Sequence, residues 1–331
     1  MLNRCFLTGA CAFALLVILI PVLRADRYTV PDGDSADLIR FIEGLRNFEP
    51  RSQAEAMLHR QKAPGAAIAA AEKVLKREKD PKSEAAQKAK FYLIEARVAQ
   101  IGDAEGNEQK QILSDLKTYL ADRGARVTAD EADLAAQAGV TLEEAESDLA
   151  SDAYANLGKL LVKASDKEVV SLGKMLEGAG RRMNLVGNEM QITGTTLEGK
   201  KFDWSKYRGK VVLVDFWATW CGPCLEEMPN VQRMYDAYHD RGFEVVGISN
   251  DTDHDAVRKF VAKKEVPWPI IHEKLGEDDR QPMEEYYGVF SIPRAILVDR
   301  DGKVVSLNAR GPELPRLLKK LIGPIEDRKE K

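Results

Sequence analysis

The sequence predicts an all-helical part over residues 26–183, followed by an α/β domain over residues 184–325. Composition changes near residue 183: residues 26–183 contain 28 alanines and no tryptophan, whereas residues 184–331 contain six alanines, all four tryptophans and nine of the fourteen prolines. Apolar residues follow helical spacing in the first part, and short β-branched runs alternate with helical segments in the second. The length of 331 residues suits two domains. The break also predicts that residues 184–331 fold without residues 26–183.

Composition and charge exclude several classes of protein. With 44% hydrophobic and 31% charged residues, the chain has the composition of a soluble globular protein, not of a collagen, a low-complexity chain or a many-span membrane protein. Lysine and arginine number 49 against 53 aspartates and glutamates, which gives a net charge of −4. Bulk electrostatics therefore indicates no nucleic-acid partner.

Residues 1–25 read as an N-terminal leader. Residues 5–23 carry no charge, Arg4 precedes them, and residues 23–25 (LRA) form a weak small-x-small cleavage site. Two interpretations remain open, a cleaved signal peptide and an uncleaved membrane anchor of nearly bilayer-spanning length. Both predict that the rest of the chain is exported to the periplasm or another extracytoplasmic space. The second predicts that residues 5–23 anchor it to the inner membrane.

Export changes what the cysteines imply. Cys5 and Cys11 lie in the leader, so Cys221 and Cys224 are the only cysteines of the exported part. A structural disulfide between distant residues is then excluded. An isolated Cys-x-x-Cys pair in an exported protein indicates redox chemistry.

Helical signals recur through residues 26–183. Ile68, Ala71 and Leu75 share a helix face, and apolar spacing over residues 142–164 predicts one further continuous helix. Helix starts are predicted at residue 82 and at three Ser/Thr-x-x-Glu capping boxes, which begin at Thr128, Thr141 and Ser165. Because small alanines allow close packing, we expect an antiparallel bundle or helical hairpins that dock or pack and carry no chemistry.

The second part alternates in the order β-α-β-α-β-β-α. Val211–Trp217 is an apolar, β-branched run broken only by Asp215, which is typical of a strand buried on both faces. The other predicted strands cover Phe243–Ser249, 295–299 and 303–307. The predicted helices cover 221–241, 253–264 and Glu313–Ile322. The aspartate-rich residues 251–255 are expected to cap a helix, not to bind a cation. Residues 326–331 are predicted to form a charged, solvated tail.

The motif Trp220-Cys221-Gly222-Pro223-Cys224 lies between a buried strand and a helix. Its first cysteine falls near the helix N-terminus, where unpaired N–H groups and the macrodipole favour a thiolate. The second cysteine follows by almost one turn, so the two sulfurs can close a short disulfide. The proline costs little, because the N–H at that position has no helical partner.

A zinc site is the structural alternative for this motif. His239 follows the second cysteine after fourteen residues, as in part of a zinc-finger pattern, but no second histidine stands three to five residues later. A peroxidatic cysteine is disfavoured too, because those families have Thr or Ser where this chain has Ala218. The ligand count therefore favours a redox pair.

Residues 211–229, VVLVDFWATWCGPCLEEMP, resemble the active-site segment of the thioredoxin superfamily. They are most similar to the exported TlpA/ResA-like thiol-disulfide oxidoreductases, and the similarity extends over residues 186–322 but not over residues 26–183. The resemblance implies a thioredoxin-like C-terminal domain, in which helices flank a central mixed sheet.

The resemblance implies a role for each matching residue. Cys221 would be the attacking cysteine and Cys224 the resolving cysteine, and both are expected to be catalytic. Pro293 would follow a cis peptide bond, and Ile292 would offer backbone groups to an extended substrate. Together with Ile292 and Pro293, three residues of the motif are expected to contact the substrate, namely Trp220, Gly222 and Pro223.

Two carboxylates are further catalytic candidates. Asp215 precedes the motif in an apolar strand, where an unpaired charge is costly. Thioredoxins use an aspartate at this position as proton acceptor for the resolving thiol, whereas TlpA/ResA-like members often have asparagine, so the chain departs from their pattern. Glu227 matches the acid of the TlpA/ResA-like Glu-x-Pro segment. Both acids are expected to be catalytic, because such acids tune thiols.

The implied function is the reduction of disulfides in client proteins by the Cys-Gly-Pro-Cys dithiol, which a membrane electron donor would regenerate. Clients would include apocytochromes c during cytochrome c maturation. No cofactor or metal is expected, because the cysteine pair is itself the redox group. The alternative is an interaction or scaffold protein with a redox-auxiliary thioredoxin domain. The intact motif argues against it, since an altered cysteine would have favoured it.

Overall fold

A computed structural model of the chain describes residues 26–274 and 281–325. The predicted leader, residues 1–25, and the predicted tail, residues 326–331, lie outside the described residues. Within the described ranges, no helix has the length and apolar character needed to cross a membrane. The chain divides into two compact units, Met1–Ala89 and Lys90–Lys331.

The first unit contains α1 (Ser35–Arg46), α2 (Gln53–Arg77) and the start of α3 (Glu84–Val98). Ala71 of the predicted helix face is fully buried, but Ile68 and Leu75 are only partly buried. The face of α2 that is buried consists mainly of small residues, namely Ala63, Ala66, Ala67, Ala70, Ala71 and Val74. Alanine lets α1 approach closely, so the larger side chains lie at the edge of the contact.

The second unit begins with further helices: α4 (Asn107–Arg123), α5 (Ala129–Glu144), α6 (Ala150–Leu161) and α7 (Lys167–Met183). The capping box at Thr128 is confirmed, because its side chain and that of Glu131 each accept from the backbone N–H of the other residue.

Two helix starts were predicted wrongly. The Thr141 box lies in the last turns of α5, and the predicted helix over residues 142–164 is divided between α5 and α6. The division occurs where Glu146 takes a left-handed backbone conformation with φ of 52°. At α7 the cap is Asp166 instead of Ser165, because the Asp166 carboxylate accepts from two backbone N–H groups of the first turn.

A five-stranded sheet in the order β3-β2-β1-β4-β5 forms the core of the remaining part. Its strands are β1 (Val211–Trp217), β2 (Phe243–Ser249), β3 (Ile270–Ile271), β4 (Arg294–Val298) and β5 (Val304–Ser306). β1 pairs in parallel with β2 and antiparallel with β4, so the sheet is mixed. The helices are α8 (Gly222–Tyr238), α9 (His254–Lys264), α10 (Pro282–Tyr287) and α11 (Glu313–Ile322). This architecture confirms the predicted α/β class with a helix-flanked mixed sheet.

Apolar residues of β1 alternate between two cores. Leu213 and Trp217 pack in the cluster that also contains the motif cysteines, whereas Val214 and Phe216 pack in the cluster on the opposite face. The strand is therefore buried on both sides, as its sequence predicts.

Helix α7 and helix α10 contact each other through their backbones. A Cβ atom at Gly178 would collide with the carbonyl oxygen of Glu285, and one at Gly288 would collide with the backbone nitrogen of Ala179. Gly288 also has φ of 53°, a conformation that favours glycine. Helix α7 thus packs directly on the sheet domain within the second unit.

Candidate active site

The cysteine pair closes a disulfide at the start of α8. The Cα atoms of Cys221 and Cys224 are 5.3 Å apart, and both residues are 5% exposed. Cys221 caps the helix, and its Sγ accepts from the backbone N–H of Cys224 at 3.2 Å. In the reduced protein this N–H and the helix dipole favour the thiolate of Cys221.

Exposed residues surround the disulfide. Trp220 is 68% exposed, and Gly222 and Pro223 are exposed in the first turn of α8. Trp217 is buried instead, with its ring centroid 5.2 Å from that of Phe260. The exposed aromatic and the first turn are thus available to a protein substrate, while the buried tryptophan packs in the core.

The loop before β4 carries the expected cis bond. The peptide bond between Ile292 and Pro293 is cis, and Ile292 packs against the core cluster that contains both cysteines. The Pro293 carbonyl accepts from Nη1 of Arg310 at 2.5 Å. Arg310 has no counterpart among the sequence-predicted site residues, because nothing in its local sequence marks it as a partner of the loop.

The charge of one predicted acid, Glu227, acts on the other, Asp215. Asp215 lies on the same strand face as Leu213 and Trp217, toward the cluster that contains the cysteines. Loss of hydration, reinforced by the negative charge of Glu227 and opposed by Arg310, raises the pKa of Asp215 to about 7. Asp215 is the one residue of β1 that is not fully buried.

Glu227 is held in place by hydrogen bonds. Its Oε1 accepts from the backbone N–H of Gly311 at 2.9 Å and from Nδ2 of Asn230 at 2.7 Å. The α8 acid therefore ties the helix to the loop that contains Arg310. Pro229 lies inside the same helix, two residues further on.

A buried ion cluster connects the α5–α7 region to the cis-proline loop. Glu143 accepts two hydrogen bonds from Arg182 at 2.7 and 2.8 Å and one from the Tyr154 hydroxyl at 2.9 Å, and its Oε1 lies 3.3 Å from Arg294. Burial disfavours the charged form of Glu143, but the hydrogen bonds and charges of Arg182 and Arg294 outweigh it and lower its pKa.

Helix α6 contacts the start of the cis-proline loop. The ring of Phe290 stacks on that of Tyr154, with centroids 6.0 Å apart and planes at 12°. Sequence reasoning missed Glu143, Tyr154 and Arg182. The burial of Arg182 could have been predicted, because this residue follows Met175 and Ala179 at helical spacing on the buried face of α7.

A second buried network supports the motif loop. Asp251 is 3% exposed and accepts from the backbone N–H of Thr219 at 2.9 Å and from the Ser249 hydroxyl at 2.8 Å. Asp253 caps α9, as expected, by accepting from two backbone N–H groups. Residues 251–255 therefore cap a helix and brace the loop that leads to the cysteines.

Comparison with known proteins agrees with this geometry. Residues 185–320 match the Redoxin family model. The C-terminal part of this chain is a Redoxin-family domain. The chain is 38% identical over 111 residues to the thiol-disulfide oxidoreductase ResA of Bacillus thuringiensis subsp. konkukian, a match that covers 34% of this chain and 61% of the relative. ResA of Geobacillus thermodenitrificans is 34% identical over 108 residues, which cover 33% of this chain and 59% of the relative.

The match thus spans about three fifths of these curated relatives. Among solved structures, the thioredoxin domain of a thiol-disulfide oxidoreductase from Bacteroides vulgatus has 33% sequence identity and a TM-score of 0.38. That match covers 41% of this chain and 97% of the solved one. The predicted similarity to the thioredoxin superfamily and to ResA-like proteins is confirmed for the C-terminal part.

Proposed function

We propose that this protein is a thiol-disulfide oxidoreductase that reduces disulfides in exported client proteins. The observation that carries the proposal is the Cys221–Cys224 disulfide at the N-terminus of α8, in the same core cluster as the cis-proline loop. The names of the ResA relatives, which match over this region, support it.

The reaction transfers two electrons from the dithiol to the client. The Cys221 thiolate attacks one sulfur of the client disulfide, forms a mixed disulfide and expels the other client sulfur as a thiolate. Cys224 then loses its proton and attacks the Cys221 sulfur, which closes the protein disulfide and releases the second client thiolate. Asp215 accepts the Cys224 proton, because a carboxyl group with a pKa of about 7 is partly ionised at neutral pH.

The cellular setting is part of the same proposal. The protein acts outside the cytoplasm, with residues 5–23 as signal or inner-membrane anchor, and a membrane electron donor returns the pair to the dithiol form. Apocytochromes c awaiting haem attachment are one client class, in cytochrome c maturation. The uncharged run of residues 5–23 and the resemblance of residues 186–322 to exported TlpA/ResA-like proteins support this setting.

Trapping of the mixed disulfide tests the reaction. Cys224→Ser is expected to accumulate a covalent adduct with a disulfide-bonded peptide, because the attacking thiol remains and the resolving thiol is absent. Cys221→Ser is the matched control and is expected to form far less adduct. Equal adduct formation by the two variants, measured by mass spectrometry, would reject the assignment of roles.

The reduction potential tests the direction. A Gly-Pro pair between the cysteines is the thioredoxin dipeptide, so a potential near the ~−270 mV of thioredoxin is expected. Equilibration with glutathione or dithiothreitol measures it. A potential near the ~−120 mV of strong oxidants would show that the protein forms disulfides instead.

A further inference from the structure

A cavity of about 780 Å³ lies beside the cis-proline loop. One side is formed by residues 290–294, which include the cis-proline, and the other by residues 143–148 and Tyr154 of the α5–α6 region. The α5–α6 region lies outside the matched Redoxin segment, so this wall is an addition to the domain.

The added wall is fixed relative to the loop. Glu143 binds Arg294, which directly follows the cis-proline, and Tyr154 stacks on Phe290 at the start of the loop. Arg182 holds Glu143 from α7 and also donates to the Tyr287 carbonyl at 3.2 Å. A chain segment that binds along the loop therefore meets a preformed wall.

The charges of this cavity divide into paired and unpaired groups. Glu143 is paired with Arg182 and Arg294, which leaves one positive charge in excess in that cluster, and the third arginine that lines the cavity, Arg310, donates to the Pro293 carbonyl. Three further carboxylates line it from the α5–α6 turn, are exposed, and have no hydrogen-bonded or ionic side-chain partner among the described residues: Glu144, Glu146 and Asp148. The exposed charged side chains of the α5–α6 turn are therefore all negative, whereas the positive charges of the cavity lie in the ion cluster and on the side of the cis-proline loop.

We propose that α5 and α6 form the second wall of the client groove and select extended client segments that carry lysine or arginine beside the disulfide. The inference rests on the proposed reductase function, since it assigns the substrate class of that site. Basic side chains at this wall form charge-assisted hydrogen bonds with the three carboxylates, whereas acidic segments are repelled.

Paired peptides and two charge-matched variants test the groove. The peptides share one disulfide loop and differ only in flanking residues, lysines in one and glutamates in the other. The wall variant is Glu144→Gln with Glu146→Gln and Asp148→Asn. The control variant changes three exposed acids of the second unit that do not line the cavity, Asp103→Asn, Glu105→Gln and Asp133→Asn, so net charge changes equally.

Two measurements are made for each protein. The first is the second-order rate constant for oxidation of the full-length dithiol protein by each peptide, at low and at high salt. The second is the Kd of each peptide for the same three proteins with Cys221→Ser and Cys224→Ser added, which bind without redox chemistry. Binding is thereby measured independently of the proposed reaction.

The wild-type protein is expected to favour the lysine peptide roughly tenfold at low salt in both measurements, and less at high salt. The wall variant is expected to lose this preference and the control variant to keep it. Equal affinity of the wild type for both peptides, or equal loss in both variants, would overturn the groove assignment. If the protein reduces neither peptide but its Kd still favours the lysine peptide, the reductase function is rejected and the groove assignment stands.

Discussion

At the residue scale, Asp215 is a carboxyl group in a strand whose other residues are apolar. Its pKa of about 7 results first from lost hydration and then from the charge of Glu227. A group that titrates near neutral pH can both accept and return a proton at the working pH. The hydrogen bonds that Glu227 accepts from Gly311 and Asn230 keep that charge in place. The acid pair is therefore suited to the step in which Cys224 must lose a proton.

The raised pKa predicts how stability depends on pH. The folded protein keeps the Asp215 proton up to about pH 7, whereas the unfolded chain loses it near 3.8, so the folded state loses stability as pH rises between these values. Asp215→Asn removes this dependence. In the oxidised protein, we expect the unfolding free energy of the variant, relative to that of the wild type, to increase by ~1–3 kcal/mol as the pH rises from about 4 to about 8. Urea unfolding at both pH values measures the difference, and a pH-independent difference would contradict the raised pKa.

The acid pair also predicts the kinetics of resolution. Asp215→Asn is expected to slow closure of the protein disulfide from the mixed disulfide by ~10²-fold or more, while formation of the mixed disulfide changes little. Glu227→Gln removes a charge that raises the Asp215 pKa, so the pH profile of resolution should shift to lower pH. Rapid-quench measurement across pH separates the two steps. An unchanged profile in Asp215→Asn would leave Asp215 as a structural strand residue.

At the element scale, local signals predicted the strands and helices that carry the motif. β1, β2 and α11 have the predicted bounds, because apolar runs and turn residues determine them locally. β3 has two residues, directly after Pro269, and α10 has six, too few to show a period. The cysteine pair was predictable for the same local reason. The contacts of Glu143 with Arg182 and Arg294 join residues far apart in the chain, so only the folded structure reveals them.

The ion cluster predicts a coupling between stability and client binding. Glu143→Gln leaves Arg182 and Arg294 buried without their counterion, so we expect a loss of ~2–4 kcal/mol in unfolding free energy. The substitution also removes the ion pair that holds Arg294 next to the cis-proline. Because the cis-proline loop is expected to bind the client, the KM for a client peptide should rise more than kcat falls. Tyr154→Phe is the matched control, because it keeps the ring on Phe290 and removes one hydrogen bond, worth about 1 kcal/mol. If KM is unchanged in Glu143→Gln, the cluster only stabilises the fold.

At the scale of the whole molecule, the composition break and the compact units fall at different places. Composition changes near residue 183, whereas the second compact unit begins at Lys90 and includes α4–α7 together with the sheet. Composition reports which residues build each layer, alanine for helix contacts and aromatics for the sheet cores. It does not report whether two layers share an interface, which here includes backbone contacts at Gly178 and Gly288 and the cluster around Glu143.

Two shortened chains decide whether residues 184–331 fold without the helices. A chain of residues 184–331 loses Glu143, the ion-pair partner of Arg294 on α5, and exposes the surface of α10 that packs on α7. A chain of residues 84–331 keeps both contacts and the whole of α3. We therefore expect the shorter chain to unfold at a Tm lower by roughly 10 °C or more, for a loss of several kcal/mol, and to bind an apolar dye. The longer chain should keep the Tm of the corresponding transition in the full protein. Equal Tm values for the two chains would show that the sheet domain is independent, as its composition alone predicts, and that α4–α7 are docked on it without contributing to its stability.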